Sequence, residues 1–387
     1  MFKVVIGIDC SNIRRGGGIT HILNVLREYD YGHDEVTVIV WGSTSVIAKF
    51  EDRHWLVKRS NWYINYSFVT RFFWQTFLLA SELRRSRGDI LFVPGGTYLG
   101  AFKPFIAVFQ NMLPFDRNEF LRFDFSALTL KFFILRFIQG RTFVRSNGLV
   151  VLSDYAQDVI TSYIPKLSAP LRVIPHGISK GFRRYPNVSK LKRKYTPSDP
   201  CRIVYVSIID MYKHQWNVAY ASILLRRRGY FVDLSFIGPS YPPALAKLNR
   251  LLLSYPSEVS HITVIGEVEY NSLQKLIHDF DIFLFASSCE NLPNILIEGM
   301  SSGIPIACTN KRPMTDILLD GGLYFDCMEP ESIANTIEEL ILNPELRREM
   351  ALKAFEVSCK YSWRECSTET FNFIRDVSND FKGEAKC

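Results

Sequence analysis

The chain has 387 residues, of which 47% are hydrophobic and 22% charged, a length that suits two α/β domains and a composition ordinary for a globular protein. The N-terminal MFKVVIGID reads as a strand rather than a secretory leader, and no run of 18 uncharged apolar residues occurs, so neither a signal peptide nor a transmembrane helix is expected. The net charge of +7 is unevenly spread, with +10 on residues 1–185 and −3 on the remainder. A basic half implies an anionic surface or partner: nucleic acid, acidic lipid or a phosphorylated acceptor.

The first half alternates short apolar strands with helices. Strands are expected at Lys3–Ile8, Val36–Trp41, Ile90–Val93, Ile106–Phe109, Leu149–Leu152 and Leu171–Ile174. Helices are expected at Ile19–Tyr29, Phe68–Arg87, Phe120–Arg145 and Asp154–Ile164. Short, continuously apolar strands are those of a parallel sheet covered on both faces. The longest apolar stretch, Phe125–Ile138, is short and broken by Lys131 and Arg136. The polar, basic, proline-bracketed segment 186–200 reads as a linker.

The alternation then restarts, with strands at Arg202–Ile208, Val232–Ile237, Ile262–Ile265, Ile282–Phe285 and Ile304–Thr309. Helices are expected at Trp216–Arg227, Pro243–Tyr255, Tyr270–Phe280, Pro293–Ser302 and Glu331–Leu342. The sum is two Rossmann-like doubly wound α/β domains in tandem, 1–185 and 201–360. Ligands of such sheets bind at the carboxyl ends of the strands, so a cleft with the domains facing across it is the natural site. Eight cysteines are scattered from Cys10 to Cys387 without Cys-x-x-Cys or zinc spacing, as for reduced thiols in a cytoplasmic protein.

The densest motif is ASSCENLPNILIEGMSSGIPIACTN, from Ala286. Glu290 sits in the loop after a strand, and Glu298 stands about 7 Å along the following helix at 1.5 Å per residue. The helix start at Pro293 offers free N–H groups and a positive dipole end, which suit a diphosphate. The pair can flank such a group, Glu290 toward a sugar and Glu298 toward a ribose. Taken alone, the two residues read equally well as solvated glutamates near a helix N-terminus.

From Gly266 to Met350 the chain resembles glycosyltransferase family 4, retaining enzymes of the GT-B fold. The resemblance rests on GEVEYNSLQKLIHDFDIFLF, the two-glutamate block, GIPIACTN, RPMTDILLDGGLYFD and NPELRREM, in the family's order. It persists in GGGITHILNVL, VVLSDYAQDVI and VIPHGI, and YSWRECSTETFNFIRDV is similar to the helix (361–387) that returns to the first domain. The resemblance implies that Glu290 is catalytic, stabilising positive charge at the anomeric carbon, and that Glu298 holds the ribose. It gives Asn291, Leu292, Pro293 and Asn294 to the donor through their amides. Asn291 stands where the family commonly has Gly. Lys213 matches the lysine of a basic pair that grips the diphosphate, whereas Ile208 occupies the arginine position.

Gly16, Gly17 and Gly18 follow the first strand, and the resemblance places such a loop at the donor phosphates. A surface loop is the plain alternative. The run is not Gly-x-Gly-x-x-Gly, which disfavours a nicotinamide cofactor. Gln110 and Asn111 take the places of a His-Asp pair, and neither accepts a proton at neutral pH. This suits a same-face mechanism in which the leaving phosphate takes the acceptor proton. His176, in the PHG turn, is a possible site residue or a turn stabiliser. Asp279-Phe280-Asp281 looks like a metal-binding Asp-x-Asp but falls at a helix end. The resemblance implies no obligatory metal and no cofactor beyond the nucleotide-sugar donor.

Residues 62–87 and 118–145 mix aromatics with Arg and Lys and hold few acids, which is the pattern of helices lying on an acidic membrane face. Core helices would look similar. Nucleic acid is disfavoured, because no RNA-binding motif appears. The expectation is a cytoplasmic sugar transferase, peripheral on the inner face of a membrane, building O-antigen or capsule on a lipid-linked glycan acceptor. A soluble acceptor and a non-catalytic sugar-nucleotide scaffold are the alternatives.

Overall fold

The computed structural model describes residues 4–14, 16–30, 36–123 and 126–384. Lys3, Cys387 and the last residues expected in the C-terminal helix lie outside them, as does Phe125. The chain divides into two compact units, one of Met1–Phe115, Phe125–Gly177 and Ser362–Cys387, the other of Asp116–Asp124 and Ile178–Tyr361.

The first unit is built on seven parallel strands: β1 (Val4–Asp9), β2 (Val36–Trp41), β3 (Leu56–Arg59), β4 (Ile90–Val93), β5 (Phe105–Phe109), β6 (Gly148–Val151) and β7 (Leu171–Val173). Their order is β3-β2-β1-β4-β5-β6-β7. Ile6 of β1 registers with Val38 on one side and Ile90 on the other. Every residue of β4, β5 and β6 is buried, which is why these strands read as unbroken apolar runs. Edge strand β3, LVKR, was not expected; its exposed Val57 and Arg59 give it half-buried alternation over only four residues. Helices start where hydroxyl side chains accept orphan amides: Ser67 from Thr70 N, Ser126 from Thr129 N and Ser153 from Ala156 N. The expected C-terminal helix, Trp363–Glu384, belongs to this unit. Ser367 Oγ donates to Val25 O at 2.7 Å, and Phe371 stacks on Tyr29 at 3.8 Å.

The second unit carries β8 (Cys201–Val206), β9 (Val232–Ile237), β10 (Ile262–Gly266), β11 (Ile282–Phe285), β12 (Ile306–Thr309) and β13 (Leu323–Phe325), parallel in the order β10-β9-β8-β11-β12-β13. Three-residue β13 was not expected. The boundary also differs from the sequence reading, since residues 178–185 belong here and 186–200 is no linker. Buried Arg347 donates to the carbonyls of Leu191 and Arg193 at 2.8 and 2.7 Å, and Arg193 pairs with Asp281 at 3.1 Å. These bonds fix the segment against the unit's own core. Asp281 also accepts from Arg202 N at 2.8 Å, so the Asp-x-Asp look-alike serves packing. Phe120, expected to begin a long helix, instead closes the short helical turn Arg117–Phe120 in this unit. The turn's buried Glu119 pairs with Arg122 at 2.7 Å and with Lys311 at 3.7 Å.

Candidate functional site

The order of the second sheet reverses between β8 and β11, and crevices of open α/β sheets form beyond the strand ends at such a point. The loops after these two strands carry Lys213 and Glu290. Asp210 Oδ1 accepts from Met211 N at 2.7 Å and opens the turn Met211–Lys213. His214 follows in the left-handed region at φ 52° and starts helix Gln215–Arg227. The two loops are tied together: Ser288 N donates to Tyr212 O at 2.9 Å, and His214 Nε2 meets Ser288 Oγ at 2.8 Å. The backbone of Lys213 is held by Tyr205 Oη, which donates to its carbonyl at 2.8 Å.

Lys213 Nζ forms an ion pair with Glu290 Oε1. The side chains keep only 7% and 15% of their exposure, and the ammonium lies 5.0 Å from the ring centres of both Tyr212 and Phe285. A largely desolvated pair of this kind interacts more strongly than one in water. Burial, then the cations Arg122, Lys311, Lys247 and Lys213, push His214 down to about 3. It is therefore a neutral ring at physiological pH, with Nε2 hydrogen-bonded to the Ser288 hydroxyl. Sequence reasoning missed it; the only signal was its place beside Lys213.

Asn291, Leu292 and Pro293 are buried, and Asn294 opens the helix Asn294–Met300. Glu298, expected to flank a diphosphate, has its carboxylate enclosed. It is 3% exposed and accepts from Tyr270 Oη, which also meets Ser179 Oγ at 3.0 Å. Burial pushes Glu298 up to about 8, with the Tyr270 hydrogen bond opposing. Tyr270 and Ser179 were not singled out, because they reach Glu298 only through tertiary folding.

The first unit gathers a second set at the carboxyl ends of its strands. Gly16, at φ +74°, precedes helix Gly17–Arg27, and Gly17 is exposed. A Cβ on Gly18 would lie 3.3 Å from Gln110 Oε1, so glycine lets the loop approach closely. Gln110 Nε2 meets His21 Nδ1 at 2.8 Å, and His21 stacks on His176 at 4.6 Å. His176 in turn stacks on Trp363 at 5.4 Å. Burial, then His176, hold His21 well below the usual histidine range. Asn111 is exposed and accepts from Leu113 N at 3.3 Å within its own loop. Thus Gly18, Gln110 and His176 converge through His21, which the sequence did not flag.

Among the described residues, no group of three or more His, Cys, Asp or Glu could hold a metal ion. None of the described helices is long and apolar enough to cross a membrane.

Residues 189–357 match the family model for glycosyl transferases group 1. The chain is 25% identical over 111 residues to O-antigen chain mannosyltransferase B of Escherichia coli, covering 29% of each. The chain's matches span only about a third or less of the length of its curated relatives, 27% to 34%. Among solved structures, sucrose-phosphate synthase of Thermosynechococcus elongatus superposes with a TM-score of 0.77 at 13% identity, covering 97% of this chain and 99% of that one. HepE of Anabaena, solved with UDP, gives 0.70 at 14% identity over 96% and 100%. At this identity the likeness is one of fold: two Rossmann-like α/β units of the GT-B type.

Proposed function

We propose that the chain is a retaining hexosyltransferase. It moves a sugar from a nucleoside diphosphate donor to a lipid-linked glycan acceptor in the assembly of a surface polysaccharide such as O-antigen or capsule. The observation that carries this reading is the Lys213–Glu290 pair at the switch point of the second sheet, inside the stretch that matches the glycosyl transferases group 1 model. HepE, crystallised with UDP, and the O-antigen mannosyltransferase support the donor class and the pathway class.

Each group has a task in this reading. Lys213 gives a point charge to the diphosphate, and the amides of the loop through Asn294 give it hydrogen bonds. This pairing replaces a metal as the counter-charge. Ile208 contributes no charge, so Lys213 carries that side alone. Glu298 and Tyr270 hold the ribose hydroxyls. Glu290, released from Lys213 as the phosphates arrive, faces the positive charge that grows at the anomeric carbon. The bond from that carbon to the phosphate oxygen breaks while the bond to the acceptor oxygen forms on the same face. The acceptor proton passes to the departing phosphate, so Gln110 need not act as a base.

Membrane association belongs to the same reading. Trp62, Tyr66, Phe68, Phe77 and Phe137 are between 59% and 71% exposed, among arginines and lysines. We place the protein on the cytoplasmic face, as a peripheral protein.

Glu290→Gln should lower transfer by about two to three orders of magnitude while donor affinity changes less, in line with loss of one preorganised electrostatic group. Near-parental turnover in that variant rules the assignment out. Donor hydrolysis by the parent protein separates an enzyme from a non-catalytic binding scaffold.

A further inference from the structure

The first sheet also reverses, between β1 and β4, and the carboxyl ends of those two strands meet a group of polar side chains that the proposed donor chemistry does not use. Asp9 closes β1, and its carboxylate is turned inward, accepting from Gln75 Nε2 and, at 2.9 Å, from Ser11 N. Gln75 also donates to Thr97 O at 2.8 Å, in the loop after β4. Asn12 bridges the same two loops, donating to Thr97 Oγ1 at 3.2 Å. Its Oδ1 accepts from Arg71 Nε at 3.0 Å. Arg14, two residues further along, donates to the carbonyl of Ile64.

Two guanidinium groups therefore stand together at the switch point. Arg14 is exposed and Arg71 half-buried, and neither makes an ion pair with a carboxylate among the described residues. Burial, then the neighbouring Arg14, lower Arg71 from its usual value, with Asp9 opposing. Like charges whose nearby carboxylate, Asp9, is already committed to Gln75 and Ser11 favour a ligand that brings negative charge, and planar forks suit phosphate oxygens. The surface beside them is apolar. The Arg71 guanidinium lies 5.6 Å from the ring centre of Phe68, which is 66% exposed. Trp62 stacks on Tyr66 at 4.8 Å and Tyr63 on Phe73 at 6.2 Å, all of them exposed. Exposed apolar surface rimmed by charge marks a binding face.

We propose that Arg14 and Arg71 bind the phosphate or diphosphate of the acceptor, and that the acceptor's apolar chain lies along the aromatic surface from Trp62 to Phe73. This rests on the transferase reading and specifies its acceptor: an anionic phosphate ester of a long apolar alcohol. The cation pair gives the charge complementarity, and the adjoining rings give the reason for a lipid-borne phosphate over a free one.

Calorimetric titration of the full chain with farnesyl diphosphate, inorganic diphosphate and farnesol tests this without relying on turnover. Farnesyl diphosphate should bind at least about tenfold more tightly than either of the others. Arg14→Gln and Arg71→Gln should each weaken it about tenfold or more, the usual cost of a lost charge-assisted contact. Lys213→Ala should leave it unchanged, and uridine diphosphate should bind both arginine variants like the parent. If Arg71→Gln also loses uridine diphosphate, its fold has been disturbed, and the exposed Arg14 alone decides. Parental affinity in Arg14→Gln overturns the proposal, as does equal affinity for inorganic diphosphate. A loss in Lys213→Ala that matches the arginine variants overturns it too, because the ligand then sits at the donor phosphates. Failure of the transferase reading shows differently, as absence of donor hydrolysis with farnesyl diphosphate binding intact.

Discussion

Lys213 is paired with Glu290, so a diphosphate that binds its ammonium competes with that carboxylate. Lys213→Ala should weaken nucleoside diphosphate binding by about 1.5–3 kcal/mol and nucleoside monophosphate binding less, since a charge-assisted contact is lost. Calorimetry with both nucleotides checks this, and equal losses would move Lys213 away from the diphosphate. Glu298 gives a pH signature. Its folded value of about 8 lies above the ordinary 4.5, so the folded protein holds the proton more tightly than the unfolded chain. The stability this contributes is complete below about pH 4.5 and is lost as pH rises through 8. Melting temperatures at pH 5, 7 and 9 should therefore fall less in Glu298→Gln than in the parent across that range. A constant difference between the two would show that Glu298 is ionised throughout. Glu290 and Glu298 were picked out by their local spacing after an apolar strand and Lys213 by the family resemblance of its loop, and the tasks given to all three rest on that resemblance. Tyr270 and the left-handed His214 were not picked out, because their roles come from side chains 28 and 74 residues away.

Helix Ala127–Arg145 is rich in apolar residues yet largely unburied over its N-terminal half. Phe133, Ile134 and Phe137 are 48%, 52% and 71% exposed, and most of its buried positions fall in its C-terminal half. It holds Lys131, Arg136, Arg141 and Arg145 and no acid. Each such cation near an anionic leaflet contributes about 1 kcal/mol, screened by salt. The protein should cosediment with anionic liposomes but not neutral ones, and less at raised salt. Phe133→Ser with Phe137→Ser should abolish this while stability changes by only about 0.5 kcal/mol, because both side chains are exposed. Replacing the exposed Arg84, Arg85 and Arg87 with Ser should weaken it through charge alone. Indifference to anionic liposomes at low salt would leave the apolar face as an acceptor or protein contact. The sequence showed aromatics and cations in this helix but not which way they point, since a core helix carries the same apolar content. The strands that escaped notice, β3 and β13, are an alternating edge strand and a three-residue strand, too short for periodicity to declare.

At the scale of the molecule, both doubly wound units and the return of the last helix to the first were readable in the sequence, but the placement of 116–124 and 178–185 in the second unit was not. The chain leaves the first unit after Gly177 and re-enters it at Ser362, so residues 178–361 are an insertion in a domain completed from far along the sequence. A chain ending at Tyr361 should lose the cooperative melting of the first unit, because Phe371, Phe373, Ile374 and Val377 are buried there. The second unit should keep its protease resistance and the nucleoside diphosphate binding proposed for it. Calorimetry and limited proteolysis of that truncation report both, and an unaltered first transition would show the helix Trp363–Glu384 to be dispensable. The same topology sets a timetable during synthesis. Strands β1–β7 are made before the second unit, yet the helix that packs on β4 and on helix Gly17–Arg27 follows more than 180 residues later. At about 5–20 residues per second, that contact stays unmade for on the order of 10–40 s, while the inserted unit can fold at once. The first unit is thus begun before the second and finished after it, and in the living cell its yield depends on what shields that unmade contact during the interval.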